Sequence, residues 1–184
     1  PSGRVVDGPQ GGTSHSEGQG YGLTLAALMR DGDAVDRIVA WTDANLAIRD
    51  DGLLAWRWFP ERADPVPDRN NASDGDLFFA WGCLLAGRAL GRGALVERAV
   101  ALARALADTC VVDDPRGGGR VLFIPAVEGF LRQRSMVVNP SYVMPMAMRD
   151  LAAAGGVPVL DEVASDALGL LGELAASGTT PDWI

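Results

Sequence analysis

Residues with helical apolar spacing fill six stretches of this chain, and the stretches alternate between two kinds. Over 17–30, Tyr21, Leu23, Leu25, Ala26, Ala27, Leu28 and Met29 leave almost no polar side. The same holds over 75–91, from Leu77 through Trp81 to Ala86, and over 140–154, with Val143, Met144, Met146, Met148 and Leu151. The stretches that follow, 33–48, 93–112 and 159–176, instead carry one apolar stripe each. Val35, Ile38, Val39 and Leu46 form the first, Leu95, Ala99, Leu102, Leu106 and Cys110 the second, and Leu160, Val163, Ala167, Leu171 and Leu174 the third. A helix that is apolar all round must be buried on both sides, and an amphipathic one can cover it from solvent. Three such pairs in succession predict an all-α repeat in which consecutive helices run antiparallel. Every inner helix then starts at the same end of the assembly.

Two long connections, 49–74 and 113–139, interrupt the pattern with Pro, Gly, Asp and aromatic residues. Loops of that length in a compact domain are usually functional. The second holds two β-prone runs, Arg120–Ile124 and Met136–Val138, which are expected to form a short hairpin.

Composition narrows the chemistry. All 16 basic residues are arginine, against 24 acidic residues, for a net charge of −8. Without lysine there is no P-loop lysine and no Schiff base. One histidine, His15, and two distant cysteines, Cys83 and Cys110, do not make a zinc site of the usual ligand types. The acidic balance disfavours nucleic acid and anionic membrane as partners. No stretch has the 18 or more apolar residues of a membrane span. The opening Pro1-Ser2-Gly3-Arg4 lacks both a signal peptide and an initiator Met, so this end reads as processed or cut. Cys83 and Cys110 fall on apolar helical positions and are expected as buried thiols rather than a disulfide. Carboxylates are left as the agents of any catalysis.

The residues that open the inner helices should therefore meet on one rim. They are Ser14-His15-Ser16-Glu17-Gly18-Gln19-Gly20-Tyr21-Gly22, Asn70-Asn71-Ala72-Ser73-Asp74-Gly75-Asp76 and Asn139-Pro140-Ser141-Tyr142. Helix N-termini also favour negative charge there. Glu17 is either an ordinary first-turn residue after a serine cap or a catalytic carboxyl whose flanking glycines let a substrate come close. Asp74 and Asp76 read alone as a cap, with a two-carboxylate calcium site as a further reading. Tyr142 reads as a core or rim residue, and His15 as structural or substrate-contacting. Trp41 and Trp81 belong to helices. Trp56 and Trp58, at i and i+2 in the first long loop, either stack on sugar faces or plug the loop onto the core.

Taken together, Ser16–Gly22, Asn70–Asp76 and Asn139–Tyr142 resemble the motifs of glycoside hydrolase family eight. Gly3-Arg4-Val5-Val6-Asp7, Trp41-Thr42-Asp43-Ala44-Asn45-Leu46 and Trp56-Arg57-Trp58 are similar to the family's bacterial cellulases associated with cellulose synthase. The likeness runs in order over almost the whole chain. It implies an (α/α)6 barrel and an inverting endo-acting hydrolase of β-1,4-glucan, the polysaccharide or its oligosaccharides being the partner. It further implies a cofactor-free, monomeric protein of the periplasm or extracellular space, with the cellulose synthase machinery as a candidate associate. Glu17 matches the family's general acid and Asp74 the aspartate that contacts the sugar at the cleavage point. Tyr21, Trp56, Trp58, Asn71, Asp76, Asn139 and Tyr142 match or adjoin positions expected to bind substrate. For Glu17 to act as an acid it must be protonated near working pH, through burial or the neighbouring Asp74.

An inverting glycosidase also needs a base about 6.5–9.5 Å from the acid. The family's base lies in a downstream Tyr-Asp-Ala-x-Arg-like segment, and no such segment occurs before Pro181-Asp182-Trp183-Ile184. Six helical pairs close such a barrel, and three are legible here. Residues 1–184 are thus expected to be one catalytic-domain fragment, about half to two-thirds of an incomplete barrel, with the base downstream. The alternatives are a non-catalytic glycan-binding or cellulose-assembly module, or the same fold acting on chitosan, xylan or mixed-linkage glucan.

Overall fold

The computed structural model describes residues 2–132, 135–176, 178, 183 and 184. Among them stand six α-helices: α1 (Ser16–Leu28), α2 (Gly32–Asn45), α3 (Ser73–Leu90), α4 (Gly93–Cys110), α5 (Pro145–Gly155) and α6 (Val159–Ala176). Successive helices pair as α1–α2, α3–α4 and α5–α6, while α3 packs against both α1 and α5. The fold is the expected all-α arrangement of three inner–outer pairs.

Helix α3 lies at the centre. Leu77, Phe79, Ala80, Cys83, Leu84 and Ala86 are all completely buried. The outer helices keep their stripes inward through Val35 and Ile38 on α2, Ala99, Leu102 and Leu106 on α4, and Leu160, Val163 and Ala167 on α6. Ion pairs Arg92–Asp36 and Arg98–Asp43 tie α4 to α2 on the solvent side. Cys83 and Cys110 are buried free thiols, as expected. Among the described residues no helix is long and apolar enough to cross a membrane.

Three expectations fail locally. Helix α1 is not covered on both sides: Leu25, Leu28 and Met29 are 63%, 66% and 79% exposed. The fifth helix does not begin at Asn139-Pro140. Pro140–Tyr142 form a separate 3-10 turn, and α5 starts at Pro145 after an extended Met144. A residue before proline is pushed out of the helical region, and proline itself suits the first helical position, so the break falls there. The hairpin in the second long connection also pairs differently. Strand β4 (Val121–Phe123) lies antiparallel to β3 (Val111–Asp113), directly after α4, rather than to 136–138. The β-branched pair Val111-Val112 leaves the helix for a strand. Leu131–Arg132 (β5) pairs with Ser135–Met136 (β6) in a local ribbon, and Val138 exchanges two backbone hydrogen bonds with Ile184.

Candidate active site

The starts of α1 and α3 touch because glycines remove the side chains between them. A Cβ on Gly20 would stand 2.7 Å from both Phe78 Cβ and the backbone nitrogen of Phe79. One on Gly75 would stand 2.1 Å from Ser16 Oγ and 2.8 Å from the Glu17 nitrogen. Gly20 and Gly75 thus serve the close approach of α1 and α3, while Gly18 lines a recess beside Glu17. Strand β1 (Ser14–His15) then pairs with β2 (Arg57–Trp58), in the register Ser14↔Trp58 and His15↔Arg57. The Ser16 amide donates to the Trp56 carbonyl at 3.0 Å, which seats the first long connection beside Glu17.

These elements enclose a cleft of about 220 Å3 lined by Asp7, Gln10, His15, Ser16, Glu17, Trp56, Ala72, Asp74 and Tyr142. Glu17, Asp74, Trp56 and Tyr142, picked from sequence, therefore meet as expected. A second recess of about 320 Å3 shares Glu17, His15 and Asp7 and is bounded by Val5, Gly18 and Tyr21. The Tyr21 hydroxyl donates to Glu17 Oε1 at 2.6 Å, and its ring meets Phe78 edge-on at 4.5 Å. Tyr21 thus holds Glu17 from the side. A larger cavity of about 600 Å3 lies beyond, lined by Arg49, Asp51, Asp68, Arg69 and Glu128 among others. Of its charges, Arg49 pairs with Asp51 and bonds the Arg69 carbonyl, and Asp68 accepts from Trp56 Nε1 at 2.9 Å.

Four of the residues singled out from sequence lie outside the cleft and hold the scaffold. Asp76 is completely buried, accepting from the Leu54 amide at 2.7 Å and from Asn71 Nδ2 at 3.0 Å. Asn71 in turn accepts from the Val127 amide at 2.8 Å through Oδ1. The pair staples both long connections to the start of α3. Asn139 is spent on the 3-10 turn, where Oδ1 accepts from the Ser141 amide at 3.0 Å and the Ser141 hydroxyl at 2.7 Å. Trp58 packs edge-on to Trp41 at 5.6 Å, with the Arg4 guanidinium 4.9 Å over its ring. Of the two loop tryptophans, the plug is Trp58 and the cleft wall is Trp56.

Asp7, Gln10 and Ser16 line the cleft although the sequence does not mark them as site residues. Asp7 and Gln10 sit in a turn where Asp7 accepts from the Gln10 amide at 3.1 Å and from its Nε2 at 2.9 Å. The Gly8-Pro9 step signals that turn, but nothing local says which side faces the cleft. Ser16 does not cap α1. The cap position is His15, with no side-chain bond, and the fully buried Ser16 hydroxyl has no hydrogen-bond partner among the described residues. The buried Gln19 takes the structural part in the motif, accepting from the Val5 amide at 2.6 Å and donating to Thr42 Oγ1 at 2.9 Å.

The electrostatics single out the Asp74 carboxyl. Burial pushes the Asp74 carboxyl up to about 7, with the nearby Glu17 charge adding to it and the Gly75 amide opposing. Burial and the charges of Asp74 and Glu17 push the Tyr142 hydroxyl up to about 12. Tyr21 is raised too, by burial first and then by its bond to Glu17. His15 is lowered by burial and by Arg57, against Asp7 and Glu17, so its imidazole is neutral at pH 7. Its ring stacks on Trp56 at 6.0 Å. The cleft carboxyl raised toward neutrality is thus Asp74. Among the described residues no cluster of three or more His, Cys, Asp or Glu could hold a metal ion.

Comparison with known proteins agrees with this architecture. The model of the glycosyl hydrolases family 8 matches residues 1–184. The chain is 34% identical to an endoglucanase of Cellulomonas uda over all of its own length and 51% of that protein's. It is 36% identical to a probable endoglucanase of Novacetimonas hansenii, again over its whole length and 54% of the relative's. A solved family-eight endo-beta-1,4-glucanase from an Achatina fulica gut metagenomic library superposes at a TM-score of 0.92 and 34% identity, with 99% of this chain and 57% of that one covered. The three inner–outer pairs are thus part of an (α/α)6 barrel, and the chain spans about half the length of the curated relatives it matches. With its rim motifs, fold and full-length match in agreement, the chain belongs to glycosyl hydrolases family 8.

Proposed function

We propose that this chain carries the acid half of an endo-acting glycosidase that cleaves β-1,4-glucan with inversion at the Glu17–Asp74 cleft. The observation that carries the reading is the meeting of Glu17 and Asp74, from the starts of two inner helices, in one cleft walled by Trp56 and Tyr142. Tyr21 occupies Glu17 Oε1 and leaves Oε2 to protonate the leaving glycosidic oxygen. Asp74 offers Oδ2 to a sugar hydroxyl while the Gly75 amide holds Oδ1 at 2.7 Å. The Trp56 indole, fixed by Asp68, and the neutral His15 ring beside it supply flat apolar surface for a pyranose face. The carboxylate that activates water comes from chain outside these 184 residues, in keeping with relatives about twice as long. Cellulose as substrate and residence in the periplasm or outside the cell belong to the same proposal.

The test is the anomer formed by the intact protein on cellopentaose, followed by proton NMR in the first minutes. Single displacement gives the α-anomer first. Initial release of the β-anomer would reject inversion, and binding without cleavage would favour a glycan-binding module instead.

A further inference from the structure

The Ser16 hydroxyl belongs to a cleft-lining residue and has no role in the proposed function. It is completely buried, and no donor or acceptor among the described residues meets it. A buried polar group without a partner is costly and is uncommon in native proteins. The site around it is nonetheless shaped to keep the oxygen in place, since it occupies the space where a side chain on Gly75 would start. Gly75 is also the residue whose amide holds Asp74 Oδ1. Asp74 has the opposite deficit. When ionised, a carboxylate accepts through both oxygens, and among the described residues the one hydrogen bond it receives from another residue is that of the Gly75 amide on Oδ1.

We infer that Ser16 is a positioning residue, a reserve hydrogen-bond donor that swings onto Asp74 when that carboxyl ionises and fixes its orientation in the cleft. With Asp74 protonated, the hydroxyl is parked against Gly75. With Asp74 charged, a turn of the two short side chains satisfies both groups at once. The other titratable groups facing Asp74 are Glu17 and Tyr21 from α1 and Tyr142 from the 3-10 turn, with His15 and Asp7 lining the same cleft. None of these donates a hydrogen bond to Asp74 in the structure. Access by substrate to the Ser16 oxygen is closed, so any effect on a reaction runs through Asp74.

The inference rests on the cleft of the proposed function for its catalytic meaning, but its test needs no sugar. The Asp74 carboxyl carbon is titrated by 13C NMR in the intact protein, its signal identified by loss in Asp74→Asn. Ser16→Ala should raise the Asp74 midpoint by about one pH unit, the size expected for losing a hydrogen bond to a charged group. Thermal melts give a second readout. Ser16→Ala should match or exceed the parent in Tm at pH 5, where the hydroxyl is idle, and fall below it at pH 9, where the bond to charged Asp74 is lost. An unmoved midpoint, or a Tm difference of the same sign and size at both pH values, would overturn the inference. So would failure of Ser16→Ala to fold at any pH, because a parked hydroxyl is not needed for folding. If glucan hydrolysis fails while the midpoint moves, the proposed function falls and the Ser16–Asp74 link stands. Hydrolysis with an unmoved midpoint gives the reverse.

Discussion

Asp74 and Asp76 stand two residues apart on the same helical turn, and their surroundings give them opposite work. Asp76 is sealed under the first long connection, with the Leu54 amide on Oδ1 and Asn71 on Oδ2. Burial raises it to about 7 while those two donors pull the other way. Asp74 has Oδ1 held by the Gly75 amide and lines the cleft. Truncating Asp76 to alanine strands a buried amide and a buried carboxamide. It should therefore cost about 3 kcal/mol in urea unfolding, at the low end of two unpaired groups; a loss below about 1 kcal/mol would mean that Asp76 is not a staple. That the motif Asn70–Asp76 lies on the rim was legible, but its internal division was not. Which of Asn71, Asp74 and Asp76 faces the cleft depends on amides of Leu54 and Val127, far away in sequence. Local spacing carries no information about those partners.

At the scale of elements, apolar periodicity placed all six helices and the inner–outer order, because that signal reports the burial that stabilises them. It misplaced the start of the fifth, where Pro145 outweighs the continuing apolar run. It also missed the pairing of Val111–Asp113 with Val121–Phe123, since strands this short have no period to read. The two glycines of Glu17-Gly18-Gln19-Gly20 have different surroundings, since Gly18 lines the recess beside Glu17 and Gly20 packs on α3. Gly20 lets α1 lie against the backbone of α3, and a backbone cannot yield as a flexible side chain can. Gly20→Ala should therefore destabilise the protein by about 1–3 kcal/mol, the usual cost of overpacking, despite alanine's better helix propensity. A gain in Tm for this variant would contradict the close packing of α1 on α3.

For the whole molecule, the family's barrel gives the exposed face of α1 a physical context. A helix apolar all round is ordinarily covered on both sides, and here α3 covers one side while Leu25, Leu28 and Met29 stay open. The relatives, about twice as long, carry further chain. The rim is the part of the architecture that sequence order alone made visible, because antiparallel pairs bring every inner helix start to one end. Glu17 and Asp74 came together there, and Trp56 and Tyr142 joined them from the intervening connections. The central claim is that this rim cleft breaks the glycosidic bond with Glu17 as acid. It is tested most directly by comparing Glu17→Gln with the parent, in the intact protein, for hydrolysis of carboxymethylcellulose and for cellopentaose binding. Loss of general acid catalysis predicts a fall in kcat of about 10²–10⁴-fold with binding retained. Hydrolysis by Glu17→Gln at the parental rate would contradict the account.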